Sequence, residues 1–196
     1  MRILVCGINY APDLVGVAKY NTELCEALSA KGHEVRVITA PPYYPSWRVS
    51  LPYQAWAYRS EILNGVHLQR VPIYIPKHPS SLRRFLHHAS FALTSSVPIV
   101  CAAIRWRPHI IFAVAPSLMS APAAAIAARI IRARSWLHIQ DFEIDAAFGL
   151  GILQGGRLRM VMLAVERNIL RMFDRISTIS PQMLLRLDQK GVSWWR

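Results

Sequence analysis

Polar side chains cluster directly after the strand predicted at Trp136–Ile139, and they form the best candidate for a polar site in the chain. In parallel α/β sheets, ligands bind outside the carboxyl ends of the strands, where the following loops gather. We therefore expect a polar ligand at this strand end. His138, inside the strand, is more readily explained as a hydrogen-bonded core residue than as a ligand-binding one. One amide and three carboxylates make up the cluster: Gln140, Asp141, Glu143 and Asp145.

A second candidate site lies in the loop after the first predicted strand, Ile3–Cys6. Gly7 breaks this strand, a loop with Pro12 and Asp13 follows, and Gly16 precedes a helical pattern. The N-terminus of that helix offers unpaired N–H groups and the positive end of its dipole, which suit a phosphate or a sugar hydroxyl. The glycine spacing matches neither the dinucleotide fingerprint nor a P-loop. An ordinary strand–turn–helix unit without a ligand is the alternative.

The segment Ala40–Trp47 is a proline-stiffened aromatic loop after the second predicted strand, and it reads Ala-Pro-Pro-Tyr-Tyr-Pro-Ser-Trp. Aromatic faces in such a loop can stack on sugars or cover a pocket. Tyr43 and Tyr44 are therefore candidate substrate-binding residues. The alternative is that these tyrosines and Trp47 pack the loop down on its own domain.

Short apolar segments alternate with helical patterns along the chain. This order predicts an α/β fold, with a mostly parallel sheet and Rossmann-like helices on both faces. The first strand–helix–strand unit should form a right-handed crossover. Strands are predicted at Ile3–Cys6, Val35–Thr39, Ile110–Val114, Trp136–Ile139 and Arg175–Ile179. Helices are predicted from Gly16 to Lys31, Ala121 to Arg134, Leu158 to Phe173 and Pro181 to Gln189, the last capped by Ser180.

The first helix is predicted to pack through one apolar face. Its apolar residues recur at spacings of three and four, which places them on the same side of an α-helix. Lys31-Gly32 then supplies a cation in the last turn and a glycine cap. The residues expected on the packed face are Val17, Tyr20, Leu24 and Leu28.

Asn64-Gly65 predicts a tight hairpin turn between the segments Ala55–Ser60 and Val66–Ile75. Pro72 and Pro76 lack the backbone N–H that a central strand would donate. The second segment is therefore predicted at a sheet edge or at a bulge.

The region Lys77–Arg107 combines basic residues with an apolar stretch. Ala89–Ile104 carries no charge over sixteen residues, and Pro98 should kink any helix formed there. This run is shorter than the roughly 20 residues that a membrane-spanning helix needs. It fits a helix that lies on or dips into the membrane interface, with basic residues holding anionic headgroups. A buried core helix is the alternative. Membrane-facing candidates are Lys77, Arg83, Arg84, Phe85, Phe91 and Arg105.

Composition restricts the functional classes. The 196 residues are 53% hydrophobic, so the chain can bury a sizeable core. The formal net charge of +12 calls for an anionic partner: nucleic acid, a membrane surface or a phosphorylated small molecule. Motifs of the common nucleic-acid-binding modules are lacking. The three cysteines have neither metal-site nor disulfide spacing, and the N-terminus shows no signal-peptide pattern, so a reducing cytosol is expected.

Several motifs in order resemble the amino-terminal domain of family 4 glycosyltransferases over essentially all 196 residues. They are Tyr-Ala-Pro-Asp-x-x-Gly-x-x-Lys-Tyr in the first loop, Lys-Gly-His-Glu-Val-Arg-Val-Ile-Thr, Pro-Pro-Tyr-Tyr-Pro, Leu-His-Ile-Gln-Asp and Ile-Ser-Thr-Ile-Ser. The resemblance implies a GT-B architecture, in which two Rossmann-like domains face each other across a cleft. Residues 1–196 would be the acceptor-side domain, and the carboxyl-terminal donor-binding domain is absent from this sequence.

The resemblance also implies an activity. The complete enzyme would transfer a sugar, with fucose as one candidate, from a GDP-sugar or UDP-sugar to a lipid-linked saccharide in colanic acid-type exopolysaccharide biosynthesis. It would need no metal or other cofactor, bind no nucleic acid, and work as a cytoplasmic, peripheral protein at the anionic surface of the inner membrane. This half alone would be inactive. The alternative is a non-enzymatic basic module that binds a membrane surface or nucleic acid. A nucleotide-dependent epimerase is disfavoured by the missing glycine fingerprint.

The resemblance extends to individual positions. Gly16 matches the first-loop position that faces the donor phosphates and the acceptor. Gln140 stands where many members have a histidine, so a hydrogen bond to a sugar hydroxyl remains available but imidazole chemistry does not. No catalytic residue is assigned. The expected substrate-binding residues are Gly16, Lys19, Tyr43, Tyr44, Gln140, Asp141 and Asp145.

Overall fold

A single seven-stranded sheet organises the described part of the chain. The computed structural model describes residues 1–142 and 155–192. The strand order is β3-β4-β2-β1-β5-β6-β7, and every neighbouring pair is parallel except β3 with β4. The strands are β1 Arg2–Cys6, β2 Glu34–Thr39, β3 Arg59–Leu63, β4 Val66–Arg70, β5 Ile110–Ala115, β6 Arg134–Ile139 and β7 Arg175–Thr178.

Helices cover both faces of this sheet, as the alternating pattern predicted. The described α-helices are α1 Val17–Ala30, α2 Ser81–Trp106, α3 Ala121–Ile131, α4 Gly156–Leu170 and α5 Pro181–Gln189, with a 3₁₀ turn at Leu118–Ser120. Ser180 caps α5 as predicted, because its Oγ accepts a hydrogen bond from the Met183 amide at 3.3 Å. The α/β, Rossmann-like fold class is confirmed.

Alternating side chains of the strands build a core on each face of the sheet. On one face, Leu4, Ile38, Ile111 and Leu137 pack with buried residues of α2 and α3. On the other face, residues such as Val5, Val35 and Val37 pack beneath α1. Burial on both faces accounts for the almost continuous apolar character of the central strands.

The packed face of α1 agrees with the prediction in part: Val17 and Leu28 pack against the core, but the other two predicted residues do not. Tyr20 is 60% exposed and Leu24 is 40% exposed, so they do not lie on the buried face. The fully buried positions of that face are small or polar residues, which let the helix lie close to the first loop. Thr22 Oγ1 accepts a hydrogen bond from the Ala11 amide at 2.9 Å, and Asn21 Nδ2 donates to the Asn9 carbonyl oxygen at 3.1 Å. The buried residues of α1 are Ala18, Asn21, Thr22 and Cys25.

The hairpin turn is confirmed, but the prediction that its second strand lies at a sheet edge or forms a bulge is wrong. Asn64 and Gly65 both have positive φ, 48° and 78°, as a tight hairpin turn requires. β4 lies between β3 and β2 rather than at the edge. It can do so because it ends at Arg70, before the first proline, so Pro72 removes no ladder hydrogen bond.

α2 is longer than the uncharged run from which it was predicted. Its 26 residues begin at Ser81 and include Pro98. By length and composition alone, it is a helix that could cross a membrane. Phe91, however, is fully buried in the core, so its assignment as a membrane-facing residue is wrong. One face of α2 therefore packs on the core, as the buried-helix alternative predicted.

We expect the contact between α2 and α3 to tolerate no larger side chain. The buried face of α3 is made of alanines, and Ala125 is fully buried against the core shared with α2. Ala125→Leu should therefore lower the free energy of unfolding by about 1–3 kcal/mol through overpacking. Urea unfolding at an unchanged m-value measures this loss. Ala27→Leu, at an exposed site on α1, is the matched control; an equal loss there would contradict the explanation.

Candidate functional site

The candidate site lies at the carboxyl edge of the sheet, where the strand order reverses. From β1 the chain crosses to β2 on one side, and it later returns to place β5 on the other side of β1. Ligands in open α/β sheets bind in the crevice at such a switch point. The loops that follow β1, β2, β5 and β6 meet at this edge, and the Gln140 amide donates to the Ala115 carbonyl oxygen at 3.3 Å.

Gly7 allows the loop after β1 to pass close to its neighbours. A Cβ at this position would lie 3.1 Å from Asn21 Nδ2 and 3.4 Å from Val114 Cβ. A side chain here would press on α1 and on β5, the two elements that flank the crevice. The break in the first apolar run therefore reflects a close approach within the domain.

A buried arginine joins three parts of the carboxyl edge. Arg70 is 1% exposed and lies at the end of β4. One guanidinium nitrogen donates to the Ala11 carbonyl oxygen at 2.6 Å, and another donates to the Ala40 carbonyl oxygen at 3.0 Å. Its Nε pairs with the carboxylate of Glu61 on β3. The loops after β1 and β2 are thus held by one charged group whose hydrogen bonds compensate its burial.

Asp13 fixes the first loop to the aromatic loop. Its Oδ2 accepts hydrogen bonds from the Tyr43 amide at 2.9 Å and the Tyr44 amide at 3.0 Å. Burial raises the pKa of this carboxyl above its usual value, and the two amides partly offset that effect. Asp13 therefore serves as a structural acceptor between two loops.

Tyr43 belongs to a buried aromatic cluster, which supports the packing alternative for this residue. It is 5% exposed, and its ring lies 5.6 Å from Trp47 and 4.7 Å from His87 between centroids. His87 Nδ1 is 2.7 Å from the Tyr74 carbonyl oxygen, which can only accept, so Nδ1 carries the proton. Nε2 then accepts from the Tyr43 hydroxyl at 2.9 Å. Burial lowers the pKa of His87 to about 4, in keeping with a neutral ring.

Three of the predicted substrate-binding residues are exposed to solvent at or near this edge. Gly16 precedes α1 with φ 57°, and apart from its two chain neighbours no residue lies within 4 Å of the space that a Cβ would occupy. Lys19 is exposed, and its ammonium lies 3.9 Å from the Glu23 carboxylate, a weak surface pair. Tyr44 is 40% exposed, so a ring face remains available to a ligand.

The polar residues after β6 are only partly described. Gln140 is half-buried and Asp141 is exposed. Asp145 lies outside the described residues, as does Glu143. His138 Nδ1 lies 2.9 Å from Ser177 Oγ, and the ring stacks on Phe112 with centroids 5.9 Å apart. Burial lowers the pKa of His138, so the hydrogen-bonded structural role proposed from the sequence agrees with its surroundings.

The basic membrane-facing candidates do not form a single patch. Lys77, Arg83 and Arg84 are exposed around the start of α2, and Phe85 beside them is 53% exposed. Arg105 is exposed near the other end of the helix. Because an α-helix rises 1.5 Å per residue, it lies about 33 Å from Arg83 along the helix axis. Within residues 1–142 and 155–192, no group of three or more His, Cys, Asp or Glu side chains is arranged to hold a metal ion.

Arg70 and His87 organise the site, and sequence reasoning assigned neither a role. Arg70 lies in a segment that was predicted only as a strand. The one local sign of a buried role is its charge, because the residues that follow it, such as Val71 and Ile73, are apolar. His87 lies among basic residues just before the uncharged run Ala89–Ile104, and its residue type alone does not distinguish it from them. Its position one helical turn before Phe91 could have indicated the buried face of α2.

We expect replacement of Arg70 to destabilise the domain far more than replacement of Arg59. Arg70→Met leaves the Glu61 carboxylate and two carbonyl oxygens without their buried partner, which should cost about 3–5 kcal/mol of unfolding free energy. Arg59 lies 3.5 Å from the same carboxylate, but its side chain is 40% exposed, so Arg59→Met should cost about 1 kcal/mol or less. Chemical denaturation compares the two variants. Equal losses would contradict the role assigned to Arg70.

Stability should fall as the pH falls from 7 to 5. The pKa values of His87 and His88 are both lowered by burial from 6.5 to about 4. Between these values the unfolded chain binds more protons than the folded chain, so acidification favours unfolding by about 1–2 kcal/mol per histidine. His87→Gln should flatten the dependence of unfolding free energy on pH, whereas His78→Gln, at an exposed site, should not. An unchanged slope in the His87 variant would refute this account.

Comparison with known proteins places the chain in a family. A family model described as "Glycosyl transferase 4-like domain" matches residues 15–196. An Escherichia coli (strain K12) protein named as a colanic acid biosynthesis glycosyl transferase, WcaI, is 47% identical over 98% of this chain and 48% of its own length. The chain thus spans about half the length of this curated relative.

A solved structure supports the fold. Sucrose-phosphate synthase from Thermosynechococcus elongatus superposes with a TM-score of 0.65 at 15% identity, covering all of this chain and 47% of the synthase. At this identity the likeness concerns the fold alone. The family assignment follows from the match to the family model, which extends over most of the sequence. The chain belongs to the Glycosyl transferase 4-like domain family.

Proposed function

We propose that this chain is the acceptor-side domain of a glycosyltransferase that acts in exopolysaccharide biosynthesis of the colanic acid type. The observation that carries the proposal is the 47% identity to WcaI, which extends over almost the whole chain. In the complete enzyme, a sugar would pass from a GDP-sugar or UDP-sugar to a lipid-linked saccharide. Fucose is the first donor sugar to test.

The share of the relative that this chain matches supports a proposed division of labour between two domains. It corresponds to about half of its curated relative, so a second domain would bind most of the nucleotide sugar. The edge that carries Gly16, Tyr44 and Gln140 would face that domain across a cleft. Residues 1–196 alone would be inactive, because the donor would lack most of its binding site.

The proposed reaction replaces the bond between the anomeric carbon and the donor phosphate oxygen. The oxygen of an acceptor hydroxyl forms the new glycosidic bond, its proton passes to the leaving diphosphate or to water, and the nucleoside diphosphate leaves with the electrons of the broken bond. Gln140 and Asp141 would position acceptor hydroxyls. The free N–H groups at the start of α1 and the nearby Lys19 would stabilise the charge on the leaving diphosphate. No protein nucleophile or metal ion from this domain enters the scheme.

We further propose a cytoplasmic location on the inner membrane. Lys77, Arg83 and Arg84 are exposed at one end of α2, where they could contact anionic lipid headgroups. Cys6 and Cys25 are buried free thiols, which suits a reducing compartment. The lipid-linked acceptor would then meet the enzyme at the membrane surface.

Activity should appear only when a donor domain is present. Residues 1–196, joined to the carboxyl-terminal half of the Escherichia coli relative, should transfer labelled sugar from a GDP-sugar or UDP-sugar to extracted lipid-linked acceptors, and the chain alone should not. In the joined protein, Gln140→Ala and Asp141→Ala should each lower kcat/KM about 10-fold, which corresponds to about 1.4 kcal/mol.

The control for this assay is Asp188→Ala, at an exposed position on α5 remote from the carboxyl edge. It should leave kcat/KM unchanged. Transfer by residues 1–196 alone would overturn the proposed division of labour. Full activity in both edge variants would overturn the proposed acceptor site while leaving the family assignment intact.

A further inference from the structure

A groove lies beside α2, on the face of the sheet that this helix packs against. Its floor is formed by β2, β4 and β3, and Ala102 of α2 borders one side. α2 does not extend over this end of the sheet, so Ser60, Ile62 and His67 remain exposed. The groove has a volume of about 390 Å³, which is in the range of pockets that hold small ligands.

The register of the three strands places two rows of side chains along the groove. Ile38 packs in the core with residues of α2, which identifies this face of the sheet, and side chains two residues apart along a strand share a face. The first row, nearer the carboxyl edge, is Ile38, Gln69 and Ser60, and the second row is Arg36, His67 and Ile62.

Four polar side chains in these rows form no hydrogen bond or ion pair with any other described residue. Arg36 contacts the Trp106 ring, with its guanidinium carbon 4.4 Å from the ring centroid. This stacked contact holds the guanidinium at the amino end of the groove and leaves its N–H groups available. Ser60, His67 and Gln69 can each donate and accept. The groove therefore offers a ligand both kinds of hydrogen-bonding group.

The mixture of polar and apolar side chains in the groove favours a saccharide as its ligand. A sugar carries hydroxyl groups that donate and accept hydrogen bonds around largely apolar ring faces, and Ile38 and Ile62 can contact such faces. An acyl chain would need a continuous apolar wall, which the polar side chains interrupt. A diphosphate would need more positive charge, because Arg36 is the one Arg or Lys among the described lining residues and Glu61 lies in the same lining.

The groove adjoins the candidate site. Gln69, in the first row, directly precedes Arg70, whose guanidinium holds the loops after β1 and β2. At the same end, Tyr58 joins the two sides of the groove, because it directly precedes β3 and its hydroxyl donates to the Thr94 carbonyl oxygen of α2 at 3.2 Å. The Tyr58 side chain is 56% exposed and presents an aromatic face between the groove and the carboxyl edge.

We propose that this groove is a saccharide-binding subsite, which holds sugars of the acceptor that are remote from the reacting hydroxyl. The inference deepens the proposed glycosyl transfer and rests on it. A saccharide chain seated in the groove would pass Tyr58 and present its next sugars to the carboxyl edge. The enzyme would then favour longer acceptors, because each sugar in the groove adds contacts that a short acceptor lacks.

Nuclear magnetic resonance titration of the ¹⁵N-labelled chain tests the groove without a donor domain. The probes are oligosaccharides of increasing length, released from purified Escherichia coli colanic acid by partial acid hydrolysis. The backbone amide signals of Ser60, Gln69 and Ala102 should shift until they saturate. The Kd should fall about 10-fold from the shortest probe to the longest, because the longest probe fills the groove.

Two variants change the groove in different ways. Gln69→Leu removes a hydrogen-bonding amide at nearly constant size, and Ser60→Tyr fills the groove from an exposed position on β3. Each should raise the Kd of the longest probe about 10-fold, and Ser60→Tyr decides the test if Gln69→Leu does not fold. The matched control, Gln182→Leu, removes an exposed amide on α5, outside the groove, and it should bind as the unmodified chain does. An equal loss in this control would overturn the assignment.

The protein joined to a donor domain provides a second readout. Gln69→Leu and Ser60→Tyr should each raise the KM of a long acceptor about 10-fold while kcat is retained, and they should leave the KM of the shortest acceptor unchanged. A loss of kcat with unchanged KM for the long acceptor would contradict a subsite remote from the reacting hydroxyl.

The outcomes separate the groove from the glycosyl transfer. If sugar is transferred but no groove signal shifts and neither variant changes the acceptor KM, the subsite is refuted while the proposed function stands. If the groove signals shift but the joined protein transfers no sugar, the proposed function fails while the groove remains a saccharide site. Shifts confined to the carboxyl edge would refute the subsite. Self-association that Ser60→Tyr abolishes, with no effect of any probe, would assign the groove to a second copy instead.

Discussion

The hydrogen bonds of Arg70 are the constraint on which the carboxyl edge depends. A guanidinium buried to this degree is stable only if its donors are satisfied, and its partners come from the loop after β1, the loop after β2, and β3. The loop after β1 leads to Gly16, and the loop after β2 carries Tyr44. The two loops that present Gly16 and Tyr44 are therefore held in place by Arg70, which is itself too deeply buried to contact a ligand.

A second set of buried polar contacts connects this edge to α2. Asp13 Oδ2 accepts hydrogen bonds from the backbone amides of Tyr43 and Tyr44, and His87 Nε2 accepts one from the Tyr43 hydroxyl. α2 and the aromatic loop that borders the crevice are thus joined through directional contacts. Such contacts fix the relative position of the helix and the loop more tightly than apolar packing alone, because each unpaired group would be costly.

The sequence was sufficient for those features that depend on local pattern. Apolar runs located the parallel strands, Asn64-Gly65 located the hairpin, and motif order indicated the family. It was insufficient where tertiary packing overrides amphipathic pattern. α1 buries Asn21 and Thr22 rather than Tyr20, because small polar residues fit close to a loop that needs hydrogen bonds. Tyr43 and Tyr44 are adjacent in sequence, yet one is buried and the other exposed, and no periodicity distinguishes them.

The sequence separation of the Arg70 contacts has a consequence for how the domain is made. The hydrogen bond from Arg70 to Ala11 joins residues 59 positions apart, and the one to Ala40 joins residues 30 apart. Contacts of this separation form late, because the intervening chain must first be ordered. During synthesis, the loop after β1 cannot form its hydrogen bond with Arg70 until the hairpin of β3 and β4 has been synthesised and has packed on the sheet. A nascent chain shorter than 70 residues can form its first strand and helix, but it cannot yet complete the carboxyl edge.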